Sequence, residues 1–175
     1  TERSFEYTVY FEEASGEISW AEAPYGNGRV TVLGQQVVYV GQEFAPLVKV
    51  GGCGDVMYEL PKAAAAAGLD VTIIIPNFRS AAKKLAAYTL EDVPGVDINL
   101  PLIWRNGHVR VKHAMIHGLS VYLIDTDDNG LWEKPYQEPY REFYESVILS
   151  RASLELLMQL GISPAVVHSN DHHTA

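Results

Sequence analysis

The stretch that decides the fold begins with the apolar run Val37-Val38-Tyr39-Val40. A continuous run of this kind is typical of a parallel strand that is buried on both faces. After a glycine-rich loop, Asp55–Ala67 predicts a helix that ends at Gly68, because glycine commonly follows the last residue of a helix. Asp70–Ile75 predicts the next buried strand. The three segments indicate a β-α-β unit with a right-handed crossover, and therefore an α/β domain with a mainly parallel sheet flanked by helices.

The second half of the chain continues this alternation. Asn106-Gly107 predicts the turn of a hairpin, and Ser120–Ile124 predicts another buried strand. Pro139 to Leu160 predicts a long helix that is closed by Gly161, and Ala165–His168 predicts a last strand. The inner side of the long helix is predicted from its apolar residues, which are Tyr140, Tyr144, Val147, Leu154 and Met158.

The first 35 residues have a different pattern. Apolar and polar residues alternate from Phe5 to Phe11, which is the period-2 signature of a half-buried strand. Ser15-Gly16 and Asn27-Gly28 are turn signals between further alternating segments. We therefore expect a small β-meander at residues 1–35, ahead of a single main domain at residues 36–175.

Composition and charge exclude several classes of function. The chain has 175 residues and a formal net charge of −9, from 13 basic and 22 acidic residues. An acidic chain without a basic stripe is not a candidate for binding nucleic acid or an anionic membrane surface. Its single cysteine, Cys53, excludes an internal disulfide and a zinc site built from several thiolates. No apolar run approaches the roughly 20 residues that a membrane helix requires.

The loop after the first parallel strand is the first place to look for a ligand, since ligands of open α/β sheets bind at the carboxyl ends of the strands. It contains Lys49-Val-Gly-Gly-Cys-Gly-Asp55, directly before a helix. The glycines allow close approach of the backbone, the helix N-terminus attracts anions, and Lys49 adds a full charge. This combination suits a diphosphate. A dinucleotide fingerprint would need glycine in place of Met57, so the general motif does not fit.

Several motifs carry a resemblance to a known family. Glu43-Phe-Ala-Pro46, Lys49–Asp55 and Leu60-Pro-Lys-Ala63 resemble the opening motifs of glycogen and starch synthases. His168-Ser-Asn-Asp-His-His-Thr174 resembles the turn of the same family that reads His-x-Asn/His-Asp-Trp-x-Thr. The resemblance extends over residues 36–175, with the motifs in the right order and spacing.

The resemblance implies the N-terminal half of a GT-B fold, in which two Rossmann-like domains face each other across a cleft. It implies a retaining transferase that moves glucose from ADP-glucose, or UDP-glucose, to the non-reducing end of an α-1,4-glucan, without a metal or organic cofactor. The C-terminal domain, which would hold the nucleotide sugar, is expected to lie outside this sequence. We therefore expect the chain alone to be nearly inactive, and a location in the cytoplasm, or in the plastid of a plant or alga.

The resemblance also assigns roles in donor binding. Lys49 would pair with the donor phosphates, and Gly51 and Gly52 would offer them backbone N–H groups. Asp55 would lie in the catalytic cleft near the sugar, although an acid in the first turn of a helix is also stabilising by roughly 0.3–1 kcal/mol. Glu43 is a substrate-binding candidate at a strand end, with an exposed loop acid as the alternative.

The turn after the last strand has three interpretations. By resemblance, Asp171 and His173 line the catalytic cleft and contact the donor sugar or phosphate. A metal site is a second interpretation, although adjacent histidines such as His172 and His173 rarely aim at one ion. A purely structural turn is the third.

The chain departs from the family pattern at several positions. Cys53 replaces a leucine and His172 replaces a tryptophan, while Tyr140–Tyr144 lacks an Asp-Asn pair that many members carry. A thiol near a helix N-terminus could have a lowered pKa and sense redox state, or Cys53 could simply fill the place of the leucine. These departures motivate a rival interpretation, a non-catalytic glucan-binding or assembly subunit that kept the fold. A Rossmann oxidoreductase is a further rival, weakened by the absent fingerprint.

Overall fold

The computed structural model describes residues 36–101, 106–126 and 131–174, together with four short strands before them. The chain divides into two compact units, Thr1–Gln35 and Gln36–Ala175.

The strands of the first unit pair in a nested order. They are β1 (Arg3–Tyr7), β2 (Val9–Glu12), β3 (Ile18–Ala21) and β4 (Gly28–Val32). β2 pairs with β3 and β1 pairs with β4, both antiparallel. In a meander each strand would pair with the next along the chain, so the pairing differs from the expected one. The single strand expected from Phe5 to Phe11 is two strands here, which allows its halves to take different partners.

One sheet organises the second unit. Its strands are β5 (Gln36–Val40), β6 (Asp70–Pro76), β7 (Glu91–Asp92), β8 (Ile98–Pro101), β9 (Asn106–Ile116), β10 (Leu119–Thr126) and β11 (Val166–Ser169). They lie in the order β11-β5-β6-β10-β9-β7, and β8 also pairs with β9. The pairings from β11 to β10 are parallel, while β9 and its other partners are antiparallel. The four parallel strands therefore present their carboxyl ends at one edge of the sheet.

Helices follow the parallel strands along the chain. They are α1 (Gly52–Ala66), the short α2 (Ala82–Leu85) and α3 (Pro139–Gln159). α1 continues through Pro61, and Gly68 lies just beyond its end with φ +84°. It begins three residues before the predicted start, at the glycines of the loop. No helix of the described ranges combines the length and the apolar character that a membrane crossing requires. The predicted α/β class with helices around a mainly parallel sheet is confirmed.

The buried face of α3 differs from the predicted one. Tyr144, Ile148, Leu149, Ala152 and Leu156 are buried, whereas Tyr140, Leu154 and Met158 are exposed. The predicted set is therefore wrong except for Tyr144 and the half-buried Val147. Apolar residues occupy two faces of α3, so a helical period alone cannot decide which face meets the sheet.

Candidate functional site

The candidate site lies where the ends of two neighbouring parallel strands meet. β5 leads into the glycine-rich loop, and β11 leads into the turn that holds the histidines. The backbone N–H of Asn170 donates to the carbonyl of Val40 over 2.9 Å, and this bond joins the two ends. Asn170 is buried, so its backbone and side chain are fixed against the sheet. Residues more than a hundred positions apart thus form one edge.

Glu43 is the buried centre of the glycine-rich loop. Its side chain is only 1% exposed. Its Oε2 accepts hydrogen bonds from the backbone N–H groups of Val50 (2.6 Å) and Gly51 (3.0 Å), and its Oε1 accepts one from the Tyr136 hydroxyl (2.5 Å). Burial raises the pKa of Glu43, but the bonds from Tyr136 and from the N–H groups of Gly51, Val50 and Gly54 outweigh it and lower the pKa. An ionised carboxylate therefore holds the loop and the start of α1.

These hydrogen bonds bear on the roles expected for Glu43 and Gly51. Glu43 is not an exposed loop acid, and the protein donors already surround its oxygens, so its place is that of an internal anchor for the loop. The N–H of Gly51, expected to face the donor phosphates, is donated to Glu43. Gly52 is exposed as the first residue of α1, where its N–H lies at the helix N-terminus. Phosphate binding by Gly52 stays a prediction.

Lys49 and Asp55 form an ion pair at the surface of the loop. The Lys49 Nζ lies 2.8 Å from the Asp55 Oδ2, and the two side chains are 52% and 54% exposed. A pair of such exposure is weak, typically about 0.2–1 kcal/mol, because water competes for both charges. Asp55 also lies in the first turn of α1. The Lys49 ammonium group can therefore leave Asp55 and pair with another anion at little cost in free energy.

The turn after β11 brings three polar side chains next to Glu142 of α3. His172 donates its Nδ1–H to the Oδ1 of Asp171 over 2.8 Å. Glu142, in the first turn of α3, has its Oε1 3.0 Å from the Nε2 of His172 and 2.7 Å from the Nε2 of His173. The two adjacent histidines therefore direct their Nε2 atoms at the same carboxylate oxygen.

The electrostatics of the turn follow from these contacts. The N–H and then the ring of His172 lower the pKa of Asp171, and hydrogen bonding first to His172 and then to His173 lowers the pKa of Glu142. The two carboxylates, Asp171 first, raise the pKa of His172. His173 is only 1% exposed, so its ring is enclosed by its neighbours and does not lie open to solvent.

Tyr136 connects the turn to the glycine-rich loop. Its hydroxyl bonds Glu43, and the centroid of its ring lies 5.2 Å from that of His173, edge to face. Its backbone has φ +56°. Neither Tyr136 nor Glu142 was a candidate on sequence grounds, because each is remote in sequence from the residues it contacts. No periodic or motif signal marks them.

Cys53 packs against the hydrophobic core beside this edge. Burial raises the pKa of its thiol, and the negative charges of Glu43 and Asp171 raise it further. The redox interpretation requires a lowered thiol pKa, and the raised pKa does not favour it. The structure supports a packing role for Cys53, in which the thiol fills space as a small apolar side chain.

The glycines of the loop give a first testable result. A Cβ on Gly54 would lie 3.0 Å from the Glu43 Oε2 and 3.2 Å from the Val48 carbonyl oxygen, whereas one on Gly52 meets no described atom within 4 Å. We expect Gly54→Ala to lower the free energy of unfolding by about 1–3 kcal/mol, since the backbone must shift. Gly52→Ala, the matched control, should raise it by about 0.5–1 kcal/mol through helix propensity. Urea unfolding measures both, and equal stability of the two variants would contradict the packing described.

The arrangement defines a class of protein. A β-α-β sheet with a lysine and a glycine-rich helix N-terminus at its carboxyl edge is typical of a Rossmann-like domain that binds phosphate-bearing ligands. The model of a family described as the starch synthase catalytic domain matches residues 36–175. The chain therefore belongs to the starch synthase catalytic domain family, and the resemblance seen in its motifs is confirmed.

The chain is similar to part of the sequence of known glycogen synthases. The glycogen synthase of Bacillus cereus (strain B4264) is 35% identical, and that of Streptococcus sanguinis (strain SK36) is 29% identical, each over 140 residues. These alignments cover 79–80% of this chain but only 28–29% of the relatives. The chain thus spans less than a third of the length of the curated relatives that it matches.

A solved structure matches the fold as well. The catalytic domain of starch synthase IV from Arabidopsis thaliana, bound to ADP and acarbose, has a TM-score of 0.72 and 29% identity with this chain. The match covers 81% of this chain and 29% of that one. The expected fold of a GT-B synthase domain is therefore confirmed.

Proposed function

We propose that the protein to which this chain contributes transfers glucose from ADP-glucose, or UDP-glucose, to the non-reducing end of an α-1,4-glucan with retention. The observation that carries the proposal is the exposed Lys49 beside the glycine-rich start of α1, at the carboxyl edge of the sheet. Membership of the starch synthase catalytic domain family supports the reaction class. The ADP in the Arabidopsis thaliana structure supports the adenine nucleotide.

Lys49 acts on the leaving diphosphate in this proposal. As the bond between glucose and phosphate breaks, negative charge moves onto the diphosphate, so a fixed ammonium group stabilises the transition state more than the ground state. Asp55 holds Lys49 until the donor arrives and is then released toward the sugar. Because the Lys49–Asp55 pair is weak and exposed, breaking it costs little free energy.

The turn after β11 supplies the other wall of the cleft. Asp171 is exposed and negatively charged, and it contacts the donor sugar directly. His173 is buried behind it, so it acts as a positioning residue through Tyr136 and Glu142. A second, C-terminal Rossmann-like domain supplies the rest of the donor site. The chain alone therefore binds the donor weakly and turns over little.

A kinetic experiment on the full-length protein tests the role of Lys49. We expect Lys49→Ala to lower kcat/KM for ADP-glucose by about 10- to 150-fold, corresponding to about 1.5–3 kcal/mol for a charge-assisted contact, with much of the loss in kcat. Lys49→Arg should rescue the activity in part, because a planar guanidinium replaces a compact ammonium.

Lys62→Ala is the matched control for that experiment. Lys62 is an exposed motif lysine that bonds Glu59 over 3.4 Å and lies over the ring of Tyr58, away from the loop. Its replacement should leave kcat/KM nearly unchanged. Intact turnover of Lys49→Ala would refute the phosphate role. A full-length protein that binds glucan but incorporates no glucose would favour the non-catalytic rival.

A further inference from the structure

The side chains of Glu142, His172 and His173 form a compact group of potential metal ligands at the start of α3. Each offers one ligand atom, and these atoms lie within 4.8 Å of one another. The Oε1 of Glu142 is 2.7 Å from one histidine Nε2 and 3.0 Å from the other. A tetrahedral ion with bonds of about 2.0–2.1 Å needs ligand atoms about 3.3 Å apart, so the Glu142 oxygen must move slightly away from both histidine nitrogens to admit it.

The donor set has a defined chemical preference. Two imidazole nitrogens and one carboxylate oxygen are borderline ligands, which suit Zn²⁺ and other divalent first-row transition metals rather than Mg²⁺ or Ca²⁺. Three protein ligands leave one position of a tetrahedral ion for water or another small ligand.

Asp171 supplies the outer partner that histidine ligands usually have. Its Oδ1 accepts the Nδ1–H of His172 over 2.8 Å, which fixes the ring and directs its Nε2 at Glu142. A carboxylate behind a ligating histidine sets the tautomer and raises the basicity of the ring. Asp171 is itself held because it also accepts the backbone N–H of His172 over 2.7 Å.

The group combines a rigid and an accessible side. His173 is buried, and its ring lies 3.7 Å from that of His172, centroid to centroid, so that side cannot move far. Glu142 and His172 line an open pocket of about 640 Å³ together with Phe143, Val147 and Arg151. This pocket provides a path for a hydrated ion and room for the fourth ligand.

We propose that Glu142, His172 and His173 bind one divalent transition-metal ion, with Zn²⁺ as the preferred ion. The family motif that this turn resembles has a tryptophan at the position of His172, and a tryptophan side chain offers no metal ligand. The ion would fix the turn after β11 against α3, independently of the proposed transferase activity.

Titration of the tag-free 175-residue chain with Co²⁺ tests the proposal, since bound Co²⁺ gives visible absorption bands that report its coordination. We expect one equivalent to bind with micromolar affinity, and Zn²⁺ to displace it. His172→Trp restores the family residue and removes a ligand, and Glu142→Gln removes another. Each should weaken binding by more than about tenfold, the loss that even an outer partner can cause. Asp171→Asn should weaken it by about tenfold through that outer partner.

His108→Gln is the matched control, because His108 is an exposed histidine 3.5 Å from Asp97 in another part of the sheet. It should bind Co²⁺ as the wild type does. Circular dichroism of each variant shows that the fold is kept, and the two ligand variants provide independent evidence should one of them unfold. Absence of binding to the wild type overturns the proposal, and so does binding that both ligand variants retain. Neither result bears on the role of Lys49, which the kinetic experiment tests separately.

Discussion

Glu43→Ala is expected to lower the free energy of unfolding of the chain by about 3–5 kcal/mol, a large part of the stability of a domain. The carboxylate is buried and accepts hydrogen bonds from Val50, Gly51 and Tyr136. Removing it leaves backbone N–H groups of the loop without an acceptor at the start of α1. Their lost hydrogen bonds and the positive end of the helix dipole both contribute to the loss.

The pH dependence of this effect has a definite sign. The pKa of Glu43 is lowered in the folded chain, so its contribution to stability is fully present above the unfolded pKa of about 4.3 and is lost as the pH falls through the folded pKa. The difference between wild type and Glu43→Ala should therefore shrink in acid.

Urea unfolding at several pH values measures both effects. Glu43→Gln keeps the shape and one acceptor oxygen, so it should lose less stability than Glu43→Ala. Tyr136→Phe removes a single donor and should cost about 1 kcal/mol. An alanine variant as stable as the wild type would show that the loop does not depend on the carboxylate.

Glu145→Gln is expected to stabilise the chain by about 3 kcal/mol near pH 8 and to change little near pH 4. Glu145 is 0% exposed in α3, where its Oε1 accepts a bond from Gln137 Nε2 over 2.5 Å. Its Oε2 has no hydrogen-bond partner in the described part of the chain. Burial raises the pKa of Glu145 to about 7, against the lowering effect of Gln137.

The contribution of Glu145 to stability changes with pH in the opposite direction to that of Glu43. Because the folded pKa lies above the unfolded one, the folded chain binds more protons between about pH 4.3 and pH 7. The contribution of Glu145 to stability is complete below the unfolded pKa and falls as the pH rises to about 7. A neutral glutamine of the same shape does not ionise, so the variant lacks this loss.

Thermal or urea unfolding from pH 4 to pH 8 distinguishes the two curves. Glu133→Gln, which changes an exposed carboxyl, is the control and should follow the wild type. Parallel curves for wild type and Glu145→Gln over this range would show that the pKa of Glu145 is the same in the folded and unfolded chain, and would contradict a pKa raised by burial.

Local patterns in the sequence predict the main domain well. The apolar runs at β5, β6 and β10 and the glycines after α1 and α3 mark the elements close to their observed bounds. The buried face of α3 was mispredicted because Tyr140, Leu154 and Met158 compete with an equally apolar face, and only packing against the sheet decides between them. The start of α1 was missed for a related reason, since its N-cap residue Gly51 has no side chain to mark it and donates its N–H to the distant Glu43.

The candidate site was predictable only in part. Lys49, Asp55, Asp171 and His173 were identified by a motif, and the structure shows what each of them contacts. Glu142 and Tyr136 were missed, because their partners are remote in sequence. The same lack of tertiary information hid the contacts of Glu43 with the loop and with Tyr136, and substrate binding by Glu43 stays a prediction.

The bond between Asn170 and Val40 has a consequence for how the chain folds. It closes a segment of 130 residues between the two halves of the site. Contacts of such separation form slowly, because the entropy of closing the segment is lost before the contact contributes. β11 has only β5 as a partner among the described strands, so it gains little support until that closure occurs. We therefore expect this edge of the sheet to form late in folding and to open early in partial unfolding.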